Sequence, residues 1–112
     1  MIPSFRFFKI LLLSTKQIEV TIQPVAYEIM TQPAQTKKIP MSMTVRDLKV
    51  LCGRLYNFPI EHMRLSAREP GQPVGFPLNM DERELSFWGL SGMGGQNPTI
   101  VLEDVRDESR QI

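Results

Sequence analysis

The chain offers one thiol and one imidazole, Cys52 and His62, as a pair that could carry out nucleophilic chemistry. A cysteine–histidine mechanism requires the two side chains within hydrogen-bond reach, together with a third group that orients the histidine. Cys52 falls on the apolar stripe of a predicted helix, where a free cysteine behaves as a small hydrophobe. His62 follows Pro59, and we expect it at the surface. We therefore predict no catalytic residue and no enzymatic activity.

A second candidate site is the acidic cluster formed by Asp81, Glu82 and Glu84. Carboxylates this close together can bind a metal ion or exchange protons. Carboxylates at the start of a helical turn, however, also complement the helix dipole at the surface, and we favour that interpretation. One cysteine and one histidine are too few for a zinc site without several carboxylates. We therefore predict neither a metal nor a cofactor.

Gly92, Gly94 and Gly95 are a third candidate, because glycine-rich loops can bind phosphate groups. Such loops follow a strand and lead into a helix. Here the glycines precede a predicted strand, and no Gly-Lys-Ser or Gly-Lys-Thr follows them. The pattern indicates a flexible loop.

Composition narrows the remaining classes of function. Hydrophobic residues make up 42% of the 112 residues, which is enough for the core of one small domain. Thirteen basic and twelve acidic residues leave a net charge of +1, which argues against binding to nucleic acid. No apolar run approaches the roughly 20 residues that span a bilayer, so no membrane partner is predicted. A single cysteine excludes an intrachain disulfide.

The chain is organised around residues 44–65, which predict an amphipathic helix followed by a strand. Thr44 is a suitable N-cap, and Asp47 three residues later resembles the acidic half of a capping box. Pro59 cannot donate a backbone hydrogen bond, so we expect the helix to end near Asn57. Apolar residues recur at spacings of three and four and share one helix face: Val45, Leu48, Leu51, Cys52 and Leu55.

Strands are predicted on both sides of this helix. Residues 16–25 alternate, with Ile18, Val20 and Ile22 on one side. Residues 37–41 form a second strand, in which Pro40 requires an edge or a bulge. Residues 63–68 and 99–102 form further strands, and residues 76–80 a short one. Residues 81–90 predict a short helical turn that packs aromatic side chains under the sheet.

This order of elements predicts an α+β fold, with a mixed sheet of four to five strands and one helix packed across one face. The sequence resembles ubiquitin-like β-grasp domains over residues 16–104. Residues 44–65 align without a gap to the helix and third strand of that family, residues 83–86 resemble its Leu-Ser turn, and residues 99–102 its last strand. The features shared within the first stretch are Thr44, Leu48, Lys49, Cys52, Phe58-Pro59 and Arg64-Leu65.

Within that superfamily the chain is most similar to the C-terminal ubiquitin-like domain of the tubulin-folding cofactor E family. The similarity lies in the leucine-rich helix around Leu51 and Leu55, in Leu65-Ser66 and in Phe87-Trp88. The resemblance implies a non-enzymatic interaction domain that acts in tubulin folding and in heterodimer assembly or turnover. It implies tubulin or degradation machinery as partners, and a cytoplasmic, cytoskeleton-associated location.

Two alternatives remain open. One is a ubiquitin-like adaptor domain unrelated to tubulin. The other is a modifier or sulfur carrier, which would need a Gly-Gly terminus. Gly94-Gly95 is instead followed by a predicted core strand that contains Ile100 and Leu102, and this disfavours conjugation.

The side of the sheet away from the helix is the predicted partner-binding face. Alternation places Arg64, Ser66, Arg68, Val101 and Glu103 there. Ubiquitin carries an apolar patch on this face, and Ser66 and Glu103 align with its isoleucine and valine. We therefore expect polar, salt-sensitive recognition in which the two arginines contact an acidic partner such as tubulin. The alternative is an ordinary solvated face.

The domain division follows from these elements. Residues 1–15 are interpreted as a flanking or targeting segment, with an extra strand or helix as the alternative. Residues 16–104 form the ubiquitin-like domain, and residues 105–112 form a charged tail. We expect the chain to fray from Glu103 onward, and to be a monomer or part of a longer chain.

Overall fold

The computed structural model describes residues 16–90 and 96–107. Its strands and its helix follow in the order β1 (Gln17–Pro24), β2 (Gln35–Pro40), α1 (Val45–Tyr56), β3 (Met63–Arg68), β4 (Phe76–Pro77) and β5 (Thr99–Asp104). Two short 3₁₀ turns are also present, Ile60–His62 before β3 and Leu85–Trp88 after β4. The predictions made for residues 1–15, 91–95 and 108–112 lie outside the described residues.

The strands form one mixed sheet in the order β2-β1-β5-β3-β4. β1 and β5 are parallel, and the other neighbouring pairs are antiparallel. The last strand along the chain therefore lies at the centre of the sheet. The predicted α+β fold is confirmed, with a mixed sheet and one α-helix in the described residues. Pro40 ends β2 at the edge of the sheet, where its missing N–H breaks no ladder on the outer side.

The helix α1 has the predicted N-cap, and it ends near the predicted residue, Asn57. The hydroxyl of Thr44 accepts a hydrogen bond from the backbone N–H of Asp47 at 3.1 Å, which satisfies one free donor of the first turn. Asn57 adopts a left-handed conformation with φ of 54°, and its N–H donates to the carbonyl of Gly53. Asparagine tolerates this conformation better than most residues. The helix therefore ends where Pro59 predicts.

The apolar side of α1 packs on one face of the sheet. Leu48 and Leu65 are both fully buried in the same core, and burial of such side chains is the main source of stability for a domain of this size. The predicted helix positions Leu51 and Leu55 lie at the margin of this core and are half-buried. Fully buried residues of the sheet complete the core: Val20, Ile22, Ala67, Ile100 and Leu102.

Tyr56 is the core residue that the helix pattern missed. It is 1% exposed, and its hydroxyl lies 3.2 Å from the carbonyl oxygen of Ile22 and 3.0 Å from that of Pro33. A phenol can enter a core when its O–H has a partner of this kind. Those carbonyls come from β1 and from the β1–β2 connection, so this burial depends on the tertiary fold.

The expectation that residues 81–90 pack aromatic side chains under the sheet is wrong for Phe87, which is 52% exposed. In the same turn, the side chain that is fully buried is that of Leu85. Three residues complete a 3₁₀ turn, so Leu85 and Trp88 share one side and Phe87 points away. The predicted strand at residues 76–80 is also shorter, because β4 contains only Phe76–Pro77.

The expected fraying from Glu103 is wrong for residues 103–107. Glu103 and Asp104 belong to β5, and the backbone N–H of Val105 donates to the carbonyl of His62 at 2.9 Å. In the described part of the chain, no helix is long and apolar enough to cross a membrane.

Candidate functional site

The open face is the side of the sheet opposite α1, and it contains Arg64, Ser66, Arg68, Val101 and Glu103. Residues of β3 and β5 alternate between the core and this face, as expected for strands with one buried side. The antiparallel register places Arg64 opposite Glu103 and Ser66 opposite Val101. The structure thus brings the five residues together on two adjacent strands.

Arg64 and Glu103 form an ion pair on this face. The Nε atom of Arg64 lies 3.2 Å from Oε1 of Glu103, and the two side chains are 38% and 36% exposed. Exposed pairs of this kind contribute only about 0–1 kcal/mol to stability. The pair does, however, orient the guanidinium along the face and offset its charge. A partner that binds Arg64 through a carboxylate must compete with Glu103.

Arg68 differs from Arg64 in its surroundings. It is exposed at the end of β3, opposite Thr99. Among the five predicted residues, Glu103 offsets one of the two arginines, so one net positive charge remains on β3 and β5, at Arg68. This position is the point on the face best suited to contact an acidic group.

The open face extends beyond the predicted residues. Thr21 of β1 lies opposite Thr99, and its hydroxyl is 3.3 Å from that of Thr36 in β2. These hydroxyl groups continue the row of Arg68 across the sheet. The outward alternation of β1 is visible in the sequence. The pairing of β1 with β5, which places Thr21 next to Thr99, is a non-local contact that the alternation does not contain.

Asp104 is the only buried charged residue among those described. Its oxygen atoms accept hydrogen bonds from the backbone N–H of Arg106 at 2.8 Å and from its guanidinium, the shortest being 2.7 Å from Nη2. These hydrogen bonds raise the pKa of Arg106. Nη2 also lies 3.0 Å from Glu28, and the N–H of Tyr27 donates to Asp107 at 3.0 Å. Residues 104–107 are therefore attached to the β1–β2 connection.

The cysteine of the candidate catalytic pair lies in surroundings that do not favour catalysis. Cys52 is fully buried, and burial raises the pKa of its thiol to about 12. The thiolate is the nucleophilic form of cysteine, so this side chain is unreactive near neutral pH. No group of three or more potential metal ligands occurs among residues 16–90 and 96–107.

Two residues of the acidic cluster pair with the first turns of α1. Asp81 lies 3.1 Å from the amino group of Lys49, and Glu82 lies 3.9 Å from the guanidinium of Arg46. The backbone N–H of Arg46 donates to the carbonyl of Asp81. These contacts place both carboxylates near the N-terminal end of α1, where they pair with basic side chains. The predicted dipole contact is with the helical turn that follows the cluster, Leu85–Trp88, which has no acidic residue in its first turn.

No protein-family model and no curated protein matches the chain. Solved structures do. The C-terminal ubiquitin-like domain of mouse tubulin-specific chaperone e is 22% identical, with a TM-score of 0.66 over 81% of this chain and 89% of that one. Tubulin-binding cofactor B of Trypanosoma brucei is 15% identical, with a TM-score of 0.66 over 80% and 96%. The ubiquitin-like domain of Plasmodium falciparum Dsk2 is 22% identical, with a TM-score of 0.55 over 80% and 99%.

Identities this low establish the fold and not the role of individual residues. The agreement covers about four fifths of the chain and nearly all of each matched domain. The described part of this chain has one helix and a mixed sheet with its last strand at the centre. The chain has the ubiquitin-like β-grasp fold, and its structural neighbours include ubiquitin-like domains of tubulin chaperones.

Proposed function

We propose that the chain is a non-catalytic protein-interaction domain that binds an acidic protein partner through the open face. Tubulin is the first candidate partner, with a role in tubulin folding and in heterodimer assembly or turnover. The domain then acts in the cytoplasm, in association with the cytoskeleton. The contact uses Arg68 as its cationic centre, with Ser66 and Val101 beside it and the Arg64–Glu103 pair at its border.

The observation that carries this proposal is the composition of the open face. A sheet face that is not covered by the domain's own helix is available to a partner, and here it contains one half-buried apolar side chain, Val101, between polar and charged ones. The net positive charge at Arg68 favours carboxylates, because guanidinium groups form planar contacts with several donors. Tubulin is an acidic protein, and two structural neighbours are named as tubulin chaperones or cofactors.

The same face argues against recognition of the ubiquitin type. Ser66 and Glu103 occupy the positions where ubiquitin has its central isoleucine and valine. A polar hydroxyl and a paired carboxylate cannot supply the apolar anchor of such an interface. Binding should instead depend on charge, and its rate and affinity should fall as salt increases.

The alternatives make different predictions. The likeness to the ubiquitin-like domain of Dsk2 is compatible with the alternative of a ubiquitin-like adaptor domain unrelated to tubulin. A modifier or sulfur carrier is disfavoured by the position of β5. Cleavage after Gly95 would remove β5, which lies between β1 and β3 at the centre of the sheet, and the domain would lose its core.

Tubulin pull-down tests the proposal. We expect Arg68→Glu to reduce retention of tubulin at least tenfold, because it reverses the charge at the centre of the face. Arg54→Glu is the matched control, since Arg54 is equally an exposed arginine but lies on the helix. The control should retain tubulin as the wild type does. Equal retention by Arg68→Glu, with circular dichroism showing both variants folded, would contradict the proposal.

The ion pair allows a second, sharper comparison. Arg64→Glu alone places a second carboxylate next to Glu103 and should weaken binding. Arg64→Glu combined with Glu103→Arg restores the pair with its charges exchanged and leaves the net charge of the face unchanged. Recovery of binding in the double variant would show that net charge decides affinity. Loss in both variants would show that the guanidinium of Arg64 itself contacts the partner. Full retention by Arg64→Glu alone would argue against this face.

A further inference from the structure

A group of aromatic side chains lies on the 3₁₀ turn Leu85–Trp88 and the neighbouring strand β4. We name it the aromatic rim and define it as Phe76, Phe87 and Trp88. The rings of Phe87 and Trp88 meet edge to face with centroids 5.3 Å apart, and Trp88 stacks on Phe76 at 6.3 Å. Arg83 covers one side of Phe87, with its guanidinium carbon 4.6 Å from the ring centroid. The rim is therefore an ordered surface and not a single exposed ring.

The rim is incompletely covered by the described part of the chain. Phe87 is 52% exposed even with Arg83 stacked on it. Trp88 is half-buried, and its indole nitrogen has no hydrogen-bond partner among the described residues although it is shielded from solvent. A further apolar contact would bury more of this aromatic surface and would therefore be favourable.

The path of the backbone places the start of β1 close to this rim. The carbonyl of Lys16 accepts a hydrogen bond from the N–H of Met41 at 2.7 Å, and the carbonyl of Met41 accepts one from the N–H of Ser86 at 3.0 Å. Two hydrogen-bonded steps thus connect Lys16 with the residue before Phe87. Since adjacent hydrogen-bonded chains lie about 5 Å apart, the chain enters β1 within about 10 Å of the backbone of Ser86, which adjoins Phe87 of the rim.

The residues that precede Lys16 have the composition that such a surface requires. Residues 1–15 lie outside the described ranges, and their sequence contains three phenylalanines and the apolar run of residues 10–13. Leu13 is three residues before Lys16, which allows a reach of about 10 Å in an extended chain. The chain is therefore long enough for this apolar run to meet Phe87.

Charge complements the apolar match. Residues 1–15 contain Arg6 and Lys9 and no acidic residue. The turn that leads into the rim carries the exposed carboxylates of Glu82 and Glu84, of which Glu82 lies 3.9 Å from Arg46, and the exposed Arg83 stands between them. Opposite charges next to matching apolar groups favour one orientation of the contact.

We propose that residues 1–15 bind the aromatic rim of the same molecule, with the apolar run of residues 10–13 against Phe87 and Trp88. The contact would assign these residues a place on the domain. It does not use the open face. Its failure would therefore leave the proposed docking of an acidic protein untouched, and the reverse also holds.

Trp88 is the single tryptophan of the chain, so its fluorescence reports on the rim alone. In the full chain, the triple variant Leu11→Ser, Leu12→Ser, Leu13→Ser removes the apolar run without touching a described residue. We expect at least a twofold increase in acrylamide quenching of Trp88, with emission shifted to longer wavelength. The matched control Leu11→Ile, Leu12→Ile, Leu13→Ile keeps the run apolar and should match the wild type.

Unchanged quenching in the serine variant, with circular dichroism showing an intact fold, would overturn the proposal. Dilution distinguishes contact within one molecule from contact with residues 1–15 of a second copy. Protection of Trp88 that persists over a hundredfold dilution supports contact within one molecule, whereas protection lost on dilution would assign the rim to a second copy and overturn it. Protection that appears only with anionic phosphatidylglycerol vesicles would assign residues 1–15 to a membrane surface and overturn it as well.

Discussion

The two faces of the sheet differ in how strongly folding constrains their side chains. On the covered face, Leu65 and Leu102 are fully buried against α1 and the surrounding core. On the open face, one residue further along the same strands, Ser66 and Glu103 remain partly exposed to solvent. The covered face must be apolar for the domain to fold, whereas the open face is free to vary. The residues of the open face therefore carry information about partners that the covered face does not.

The largest effect is expected from truncating a buried side chain at the helix–sheet interface, either on the helix or on the sheet. Leu48→Ala or Leu65→Ala should each lower the free energy of unfolding by about 2–5 kcal/mol, because both remove a buried side chain and leave a cavity. Urea unfolding followed by circular dichroism measures the loss. A loss below about 0.5 kcal/mol for Leu48→Ala would place this residue at the surface and contradict the helix-on-sheet packing.

The next largest effect on stability is expected at Asp104, a charged residue on the otherwise apolar covered face. Asp104 lies on the same side of β5 as Leu102 and is 2% exposed, yet it is charged. Asp104→Asn removes charge-assisted hydrogen bonds to Arg106 and should cost about 1–3 kcal/mol. Glu103→Gln is the matched control on the open face and should cost less than half as much. Equal losses in the two variants would remove the distinction between the faces at this strand end.

Alkaline pH should weaken the packing of α1 on the covered face, because Cys52 of α1 is buried there. Its pKa is about 12 in the fold and 9.0 without burial, so the folded state favours the neutral thiol. The stability from this preference is complete below pH 9 and is lost as pH rises toward 12. A pH of 10 is one unit above the pKa of 9.0, so the loss of stability at pH 10 is about 1.4 kcal/mol.

Urea unfolding at pH 7.5 and pH 10 measures this loss, with Cys52→Ala as the variant that lacks the group. The stability advantage of the wild type over Cys52→Ala should shrink by about 1.4 kcal/mol between the two pH values. An advantage that stays constant would show that the thiol titrates alike in both states. Burial also raises the pKa of Tyr56, and the charge of an ionised Cys52 raises it further. The burial part is common to both proteins and cancels, whereas the part due to Cys52 belongs to the effect of the substitution.

The smallest effects belong to the open face. Ser66→Ala should change the free energy of unfolding by less than about 0.5 kcal/mol. A double-mutant cycle of Arg64→Ala and Glu103→Ala should give a coupling energy of about 0.2–1 kcal/mol, reduced at high salt by screening. A coupling above about 2 kcal/mol would mean that the pair has a structural role, and would weaken its interpretation as part of a docking surface.

The same contrast explains which predictions the sequence could support. Alternation and helical spacing report burial, so they identified Leu48, Leu65 and the open-face residues. Pro40 identified an edge because its chemistry excludes the centre of a sheet. The turn at Leu85–Trp88 was harder, since the spacing of its apolar residues does not distinguish a 3₁₀ turn, which exposes Phe87, from other helical turns.

Long-range pairings were the other part that the sequence could not supply. The ion pair of Arg64 with Glu103 depends on the register of β3 and β5, and a shift of one residue would separate them. The burial of Asp104 depends on Arg106, which folds back from the following turn. Without knowledge of that contact, an acidic residue at the end of a strand is expected to be exposed to solvent. These polar contacts arise from tertiary geometry and leave no periodic signal.

The central claim, that the open face is the docking surface, is tested most directly by magnetic resonance of the isotope-labelled chain during titration with tubulin. The account predicts that backbone signals of Ser66, Arg68 and Val101 broaden first and that 0.5 M salt restores them. Signals of the exposed helix residues Arg46 and Arg54 should remain sharp at the same tubulin concentration. Broadening that begins at the helix, or that leaves β3 and β5 unchanged while tubulin is bound, would contradict the account.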